Sequence, residues 1–448
     1  MNIAIFTGEI SGDLAGGALA REIRKREPEV ALWGMGSDSL KEAGVEVLWE
    51  STSWGAIGIV EAIRKVPYLL WNVSQNVKRE LRERRPDVVV LIDFGAFNVR
   101  VAKYAKKLGL KVCYYIPPGS WRRDGMKGAG LAQCTDVVAV PFPWAEDRFR
   151  SIGVNAIYVG HPLVERVHAS MTRQEFADHF GMDASRPIIG LLPGSRTQEV
   201  THLIPTMLDA ARGILREIPE AQFVMSVAPS VSQEMIAGLL HQNTELKDRI
   251  ADIWHEFTLE AETKVLRPVA QRLTGQKSLT MVTPEGVLVP ADQMLQDQKA
   301  KEQAHLHQKQ PLPPLVLAKG VTYDIMAHCN LLLACSGTAT LEATIFETPM
   351  IILYRGSKLL AIEYHLRSIK KRVPRIGLPN ILSEKTIVPE LIQNDANPDT
   401  ITALAVPLIN DMAIRHEMKD ALHAVKLHLG TVGASAKTAE IVMELMKQ

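Results

Sequence analysis

The chain has 448 residues, 46% hydrophobic and 23% charged, a length that suggests two or three cores and a composition that excludes wholesale disorder and fibrous classes. Lys and Arg number 51 against 50 Asp and Glu, so the net charge of +1 leaves no global basic field for nucleic-acid binding, and any anion site must be local. The four cysteines, Cys113, Cys134, Cys329 and Cys335, show no CxxC spacing, which argues against a disulfide framework or a structural zinc and fits a reducing cytoplasm.

Met1-Asn2-Ile3-Ala4-Ile5-Phe6 runs directly into a turn at Thr7-Gly8, without the basic region and longer apolar stretch of a signal peptide. No uncharged apolar run reaches the roughly 18 residues of a membrane-spanning helix. Strands are predicted near 2–7, 88–93, 111–116, 136–141 and 157–160, with helices near 12–26, 58–84, 97–107 and 144–151. Val88-Val89-Val90-Leu91-Ile92 is apolar on both faces, as parallel strands covered by helices require. The alternation restarts with strands near 187–192, 222–227, 331–335 and 350–354 and a long helix after Arg196. The pattern is α/β, two Rossmann-like lobes whose parallel sheets face an interlobe cleft, where ligands of such sheets bind. The expected division is 1–165 for an N-terminal lobe, 166–186 for a polar linker, 187–425 for a C-terminal lobe and 426–448 for a final helix. A polar, partly helical insertion is expected at about 253–314.

Gly8-Glu9-Ile10-Ser11-Gly12-Asp13 opens the first helix but is not GxGxxG, and no acidic residue clearly ends the second strand near Trp33-Gly34, so a nicotinamide site is not expected. Glu9, Ser11, Gly12 and Asp13 suit an acceptor's phosphate or hydroxyl, the alternative being helix capping by Ser11 or Asp13. The apolar stretch from Trp54 to Trp71, with Arg64 and Lys65 beside aromatic residues, reads first as a helix packed on the sheet, with a membrane interface or acyl chains as the alternative. Asp93 closes a strand and could accept the proton of an attacking hydroxyl, or cap the helix that follows. His161, in Gly160-His161-Pro162, faces the cleft or sits as a satisfied turn histidine.

In the second lobe, Leu191-Leu192-Pro193-Gly194-Ser195-Arg196 reads as strand, tight turn and helix start, with Arg196 able to fork onto phosphate oxygens or merely to pair with Glu199. Ser336-Gly337-Thr338-Ala339-Thr340-Leu341-Glu342 repeats the design, and a helix N-terminus of this kind suits a diphosphate or is simply capped. Asn380 could serve a base or sugar, or cap its loop. No Asp-x-Asp triplet is present, so no metal and no cofactor are expected; His305 and His307, lacking a third ligand, read as a solvated polar segment.

Taken together the segments resemble the lipid-A-disaccharide synthase family, glycosyltransferases of the GT-B type. The resemblance runs from 2 to about 250 and from about 315 to about 440. It rests on GEISGD at 8–13, Gly58-Ile59-Val60-Glu61, Asp93 with Phe97-Asn98, Gly160-His161-Pro162, LLPGSR at 191–196, SGTATLE at 336–342, Pro349-Met350, Tyr354-Arg355, LPNIL at 378–382 and Val388-Pro389-Glu390-Leu391. It implies an inverting transfer from UDP-2,3-diacylglucosamine to 2,3-diacylglucosamine 1-phosphate, giving a β-1,6-linked disaccharide and UDP. Asp93 matches the family's general base and Arg196 its diphosphate-side arginine. Gly194, Ser195, Ser336, Gly337, Thr338, Ala339, Thr340, Glu342 and Asn380 would then lie on the nucleotide-sugar side, and Asn98 and His161 on the acceptor side. The partners implied are a UDP-sugar and an acylated sugar phosphate. Peripheral contact with the cytoplasmic face of the inner membrane, and a homodimer, stay open.

Departures from the family pattern fall mostly in the first lobe. Asp-x-Pro-Asp-Phe-Asn reads Asp93-Phe94-Gly95-Ala96-Phe97-Asn98, the Ser-Pro-x-x-Trp-Ala-Trp segment ends in Arg123, and His-Pro-Leu-x-Asp ends in Glu165. Two alternatives therefore stand beside the main reading: a GT-B enzyme acting on UDP-N-acetylglucosamine as a 2-epimerase or with a non-lipid acceptor, and a non-catalytic nucleotide-sugar sensor.

Overall fold

The computed structural model describes residues 1–51, 73–120, 128–243, 255–259, 266–268, 280–282, 288–290, 315–356 and 375–447. The chain divides into two compact units, Met1–Arg166 with Leu427–Gln448, and Val167–Lys426.

The first unit carries β1 (Asn2–Phe6), α1 (Ile10–Arg26), β2 (Ala31–Gly36), α2 (Asp38–Glu42), β3 (Glu46–Glu50), α3 (73–84), β4 (Val88–Ile92), α4 (Gly95–Lys107), β5 (Lys111–Tyr115), β6 (Val137–Val140), α5 (Pro143–Ser151), β7 (Ala156–Tyr158) and α6 (Leu163–Arg166). Its seven strands are all parallel, in the order β3-β2-β1-β4-β5-β6-β7. Every residue of β4 is buried, which is why that strand is apolar on both faces rather than alternating. The order reverses between β1 and β4, and this reversal opens a crevice at the carboxyl ends of the two strands.

The second unit begins with α7 (Arg173–His179), then β8 (Ile188–Leu192), α8 (Thr197–Glu217), β9 (Gln222–Val227) and α9 (Gln233–Asn243). Four short strands follow, β10 (His255–Leu259), β11 (Leu266–Pro268), β12 (Thr280–Val282) and β13 (Leu288–Pro290). Next come β14 (Leu315–Lys319), α10 (Thr322–His328), β15 (Leu331–Cys335), α11 (Thr338–Ile345), β16 (Met350–Tyr354), α12 (Leu378–Ser383), β17 (Glu390–Ile392), α13 (Pro398–Asn410) and α14 (Met412–Leu427). Six strands run parallel in the order β14-β9-β8-β15-β16-β17, and here the reversal falls between β8 and β15.

One expectation is corrected. The segment read as a polar linker folds into the second unit: Thr172 and Glu175 form a capping box, and Phe176, Ala177 and Phe180 enter its core. Three apolar residues at i, i+1 and i+4 outweigh the polar surroundings. Within the expected insertion the described residues form strands β10 to β13, which the sequence pattern does not predict, with β10 pairing parallel to β14 and β12 antiparallel to it. Strands β3, β14 and β17 are not visible in the sequence pattern; the prolines before Leu315 disguise β14, and Glu390 opens β17 with a charge. Gly58-Ile59-Val60-Glu61, the stretch from Trp54 to Trp71, Arg123, His305 and His307 lie outside the described residues.

A last helix, α15 (Ala434–Lys447), belongs to the first unit and packs on α1 and against β4 and β5. Its N-terminus explains Glu165. The Glu165 carboxylate accepts hydrogen bonds from the amides of Gly433 and Ser435, both at 2.9 Å, and from the Ser435 hydroxyl at 2.6 Å. A carboxylate here satisfies orphan donors of the helix and meets the positive end of its dipole. Glu165→Ala should therefore cost about 1–3 kcal/mol, the penalty of unsatisfied buried donors. Thermal melts should show a drop of roughly 3–10 °C; an unchanged melting temperature would refute this anchoring role.

Candidate active site

In the first unit the crevice between β1 and β4 is built by two turns. After β1, Thr7 and Gly8 lead into α1, whose first turn places Gly12 beside Asp93: a β-carbon on Gly12 would lie 3.9 Å from that of Asp93. After β4, Asp93 and Phe94 both adopt left-handed backbone, with φ of 47° and 46°, an uncommon conformation for residues with side chains and costly for Phe. Phe94 lies over Gly8, where a β-carbon would fall 2.0 Å from Phe94 Cγ, so only glycine admits the ring.

The backbone of Asp93 is tied at each end. Its amide donates to the Tyr115 carbonyl at 3.2 Å, and its carbonyl accepts from the Tyr114 hydroxyl at 2.7 Å and from Asn98 Nδ2 at 3.0 Å. Burial pushes the Asp93 carboxyl above the usual aspartate range, the negative charge of Glu9 adds to the rise, and the Phe94 amide partly opposes it. The result is a half-buried carboxylate with raised basicity at the switch point, suited to accepting a proton.

The other acceptor-side candidates play different parts. Glu9 is exposed at the start of α1 and Ser11 half-buried on its first turn. Asp13 is buried and caps α2 instead of meeting a ligand, accepting from the amides of Ser37 at 2.6 Å and Ser39 at 2.9 Å. Asn98 is fully buried, its Nδ2 reaching the carbonyls of Phe6, Ile92 and Asp93, so it braces the turn from inside. His161 accepts from the Leu163 amide through Nδ1 at 3.2 Å and packs on Phe142. Desolvation lowers its pKa, with Arg166 contributing, so it is a neutral turn histidine.

In the second unit the motifs at 194–196 and 336–340 follow β8 and β15, the two strands flanking its reversal. The first turn abuts the end of β15, where a β-carbon on Gly194 would lie 3.3 Å from Sγ of Cys335, the residue before the second motif. Gly194 has φ of 106° and leaves no room for a side chain, because that β-carbon would also fall 2.5 Å from Glu199 Oε2. Glu199 occupies the turn: its Oε2 accepts from the amides of Ser195 at 3.2 Å and Arg196 at 3.3 Å, and its Oε1 pairs with Arg196 Nη1 at 3.3 Å. The turn amides are thus held by the chain's own carboxylate rather than standing open. The Arg196 side chain keeps 65% of its surface exposed, so this pair leaves the guanidinium accessible.

At the second motif Gly337 and Thr338 are exposed, and α11 has no side-chain cap. The Ser336 hydroxyl donates to the Ile376 carbonyl at 3.1 Å and the Thr340 hydroxyl to the Gly337 carbonyl at 2.8 Å, so both shape the turn. Ala339 and Glu342 are half-buried, with Glu342 accepting from the Tyr323 hydroxyl at 3.2 Å. Asn380, expected to contact a base or sugar, is fully buried and fully used. Its Oδ1 accepts from the amides of Ile387 and Val388, and its Nδ2 donates to the Val388 carbonyl and to Glu390. Glu390 in turn accepts from the amides of Ile376 and Gly377, which positions the carbonyl that receives Ser336.

Sequence reasoning missed Tyr114, a hydroxyl within the apolar strand β5, and the bracing role of Glu390. The only signal for Tyr114 is its place in the strand beside β4, in register with Leu91. Among the described residues no group of three His, Cys, Asp or Glu side chains could hold a metal ion, and no helix is long and apolar enough to cross a membrane.

The fold is shared with solved structures of low sequence identity. A Staphylococcus aureus MnaA–UDP complex superposes with a TM-score of 0.56 at 11% identity, covering 100% of this chain and 98% of that one. A UDP-GlcNAc 2-epimerase from Neisseria meningitidis bound to UDP-GlcNAc gives 0.53 at 10% identity, covering 99% and 100%. These likenesses establish the GT-B fold and nothing about the reaction. Sequence relatives go further. The lipid-A-disaccharide synthase of Geobacter sulfurreducens is 31% identical over 448 residues, covering 99% of this chain and 97% of the relative. That of Trichlorobacter lovleyi is 30% identical over 446 residues, covering 100% and 98%. The model of the family described as lipid-A-disaccharide synthetase matches residues 3–262 and 287–442, so the part without a family counterpart is 263–286, narrower than the expected 253–314. With that match spanning both units and both switch-point turns, the chain belongs to the lipid-A-disaccharide synthetase family of glycosyltransferases.

Proposed function

We propose that the enzyme transfers 2,3-diacylglucosamine from its UDP conjugate to the 6-hydroxyl of 2,3-diacylglucosamine 1-phosphate, inverting the anomeric centre. The new bond joins the acceptor oxygen to the anomeric carbon as the bond from that carbon to the UDP oxygen breaks. Asp93 takes the hydroxyl proton, and the electron pair leaves with UDP. The observation that carries this reading is the geometry of Asp93, a desolvated carboxylate pinned at the switch point of the first sheet. Strained backbone held by several bonds is the mark of a site where orientation matters.

On the donor side, Arg196 supplies fixed positive charge to the departing diphosphate. The exposed turn at Gly337 and Thr338 and the uncapped start of α11 add amide donors and the positive end of a helix dipole. Gly194, Ser195 and Ala339 shape this pocket, while Ser336, Thr340 and Asn380 hold it from behind. Acylated substrates place the reaction at a membrane surface, and peripheral contact with the cytoplasmic face of the inner membrane is part of the proposal. Ala96, where the family pattern has a second carboxylate, leaves Asp93 as the base of the 93–98 turn.

The test is direct. Purified protein with UDP-2,3-diacylglucosamine and 2,3-diacylglucosamine 1-phosphate in detergent should yield a disaccharide 1-phosphate by mass detection, together with stoichiometric UDP. Conversion of the donor without acceptor, or no conversion with both present, would overturn the assignment.

A further inference from the structure

We infer that Tyr114 is a positioning residue for this transfer, its hydroxyl fixing the conformation of Asp93 through the Asp93 main-chain carbonyl. The inference rests on the reading of Asp93 as the base and adds a residue that the family motifs do not contain.

Three observations carry it. Asp93 and Phe94 form two consecutive left-handed residues, neither of them glycine, at the end of β4. A peptide plane in that state relaxes unless its neighbours over-determine it. The Tyr114 hydroxyl donates to the Asp93 carbonyl at 2.7 Å, the shortest of the bonds that tie this residue's backbone, against 3.0 Å from Asn98 and 3.2 Å for its amide to Tyr115. Tyr114 is itself fully buried on β5, in register with Leu91, so its ring cannot swing away and the phenol points where the strand puts it. Burial also raises the phenol's pKa, so it remains a donor throughout the working range.

A buried hydroxyl is costly without a partner, and for Tyr114 the partner is the carbonyl whose orientation sets the base. Removing the hydroxyl leaves that carbonyl to Asn98 alone and lets the 93–94 turn relax. The carboxylate then leaves its desolvated position, which displaces it from the acceptor and lowers its pKa toward that of an ordinary aspartate.

Tyr114→Phe deletes the oxygen and keeps the ring. The expected result is a kcat about tenfold lower, the size of one lost orienting interaction. KM should stay within about twofold, since binding groups are untouched, and the acid limb of the kcat/KM profile should move to lower pH. In an Asp93→Asn background the same change should have no further effect, because nothing remains to orient. A merely structural role would lower the active fraction without moving the acid limb. An unmoved limb, or an unchanged kcat, overturns the inference while leaving the base intact. Full activity of Asp93→Asn alone would instead remove the base reading. If Tyr114→Phe does not fold, Asn98→Ser removes the other side-chain donor to the same carbonyl and carries the same readout.

Discussion

Asp93→Asn is expected to lower kcat by about 10²–10⁴-fold, the range contributed by a positioned general base, while UDP binding measured by calorimetry stays unchanged. Asparagine is the right probe because it tolerates left-handed backbone as aspartate does, so the φ of 47° and both bonds to the main-chain carbonyl survive. Only the basic oxygen is lost. In the parent enzyme the acid limb should lie above the ordinary aspartate value of 3.8, because burial dominates the shift and the Glu9 charge reinforces it. The same shift has a consequence for stability. A carboxyl whose folded pKa is raised favours folding fully below its unfolded value and loses that contribution as pH rises through the folded value. At neutral pH the ionised Asp93 therefore opposes folding, and Asp93→Asn should melt no lower than the parent. A variant that is both inactive and several degrees less stable would indicate misfolding rather than a lost base.

Arg196→Ala is the second large effect. Its pair with Glu199 is long and solvent-exposed, which makes it worth about 0–1 kcal/mol to the fold, so melts should barely change. The rate should nonetheless fall by about 10²–10³-fold, the typical cost of removing one preorganised group that stabilises developing charge. Arg196→Lys should recover part of it, since an ammonium keeps the charge but not the two-pronged geometry. Steady-state UDP release decides the matter: a loss below tenfold for Arg196→Ala would move the leaving-group role to the amides of the second turn.

What the sequence made legible was the placing of turns at strand ends. Asp93, Arg196 and the Ser336-Gly337-Thr338 turn were visible because apolar runs stop abruptly at small or charged residues, and in both sheets those stops fall beside the reversal of strand order. What misled was the shared chemistry of ligand contacts and internal ties. Asp13, Asn98 and Asn380 are small polar groups in motif positions, yet Asp13 and the Asn98 Nδ2 bond to backbone of their own unit, and Asn380 is fully used within its own. Asp13 does so with Ser37, 24 residues away, and no local pattern reveals such a partner. Tyr114 was hidden for the opposite reason, because an aromatic residue inside an apolar strand reads as packing. The departure at Glu165 looked like a change in the acceptor side and proves to be the anchor of a helix.

That anchor joins positions 268 residues apart, so the sheet holding Asp93 receives part of its cover from a segment synthesised after the whole second unit. During synthesis β4 and β5 must wait, with apolar surface exposed, until the whole second unit has emerged. Folding of the unit that carries Asp93 is then intrinsically late, and a stalled or prematurely terminated chain should be captured by holdase chaperones instead of accumulating half-folded.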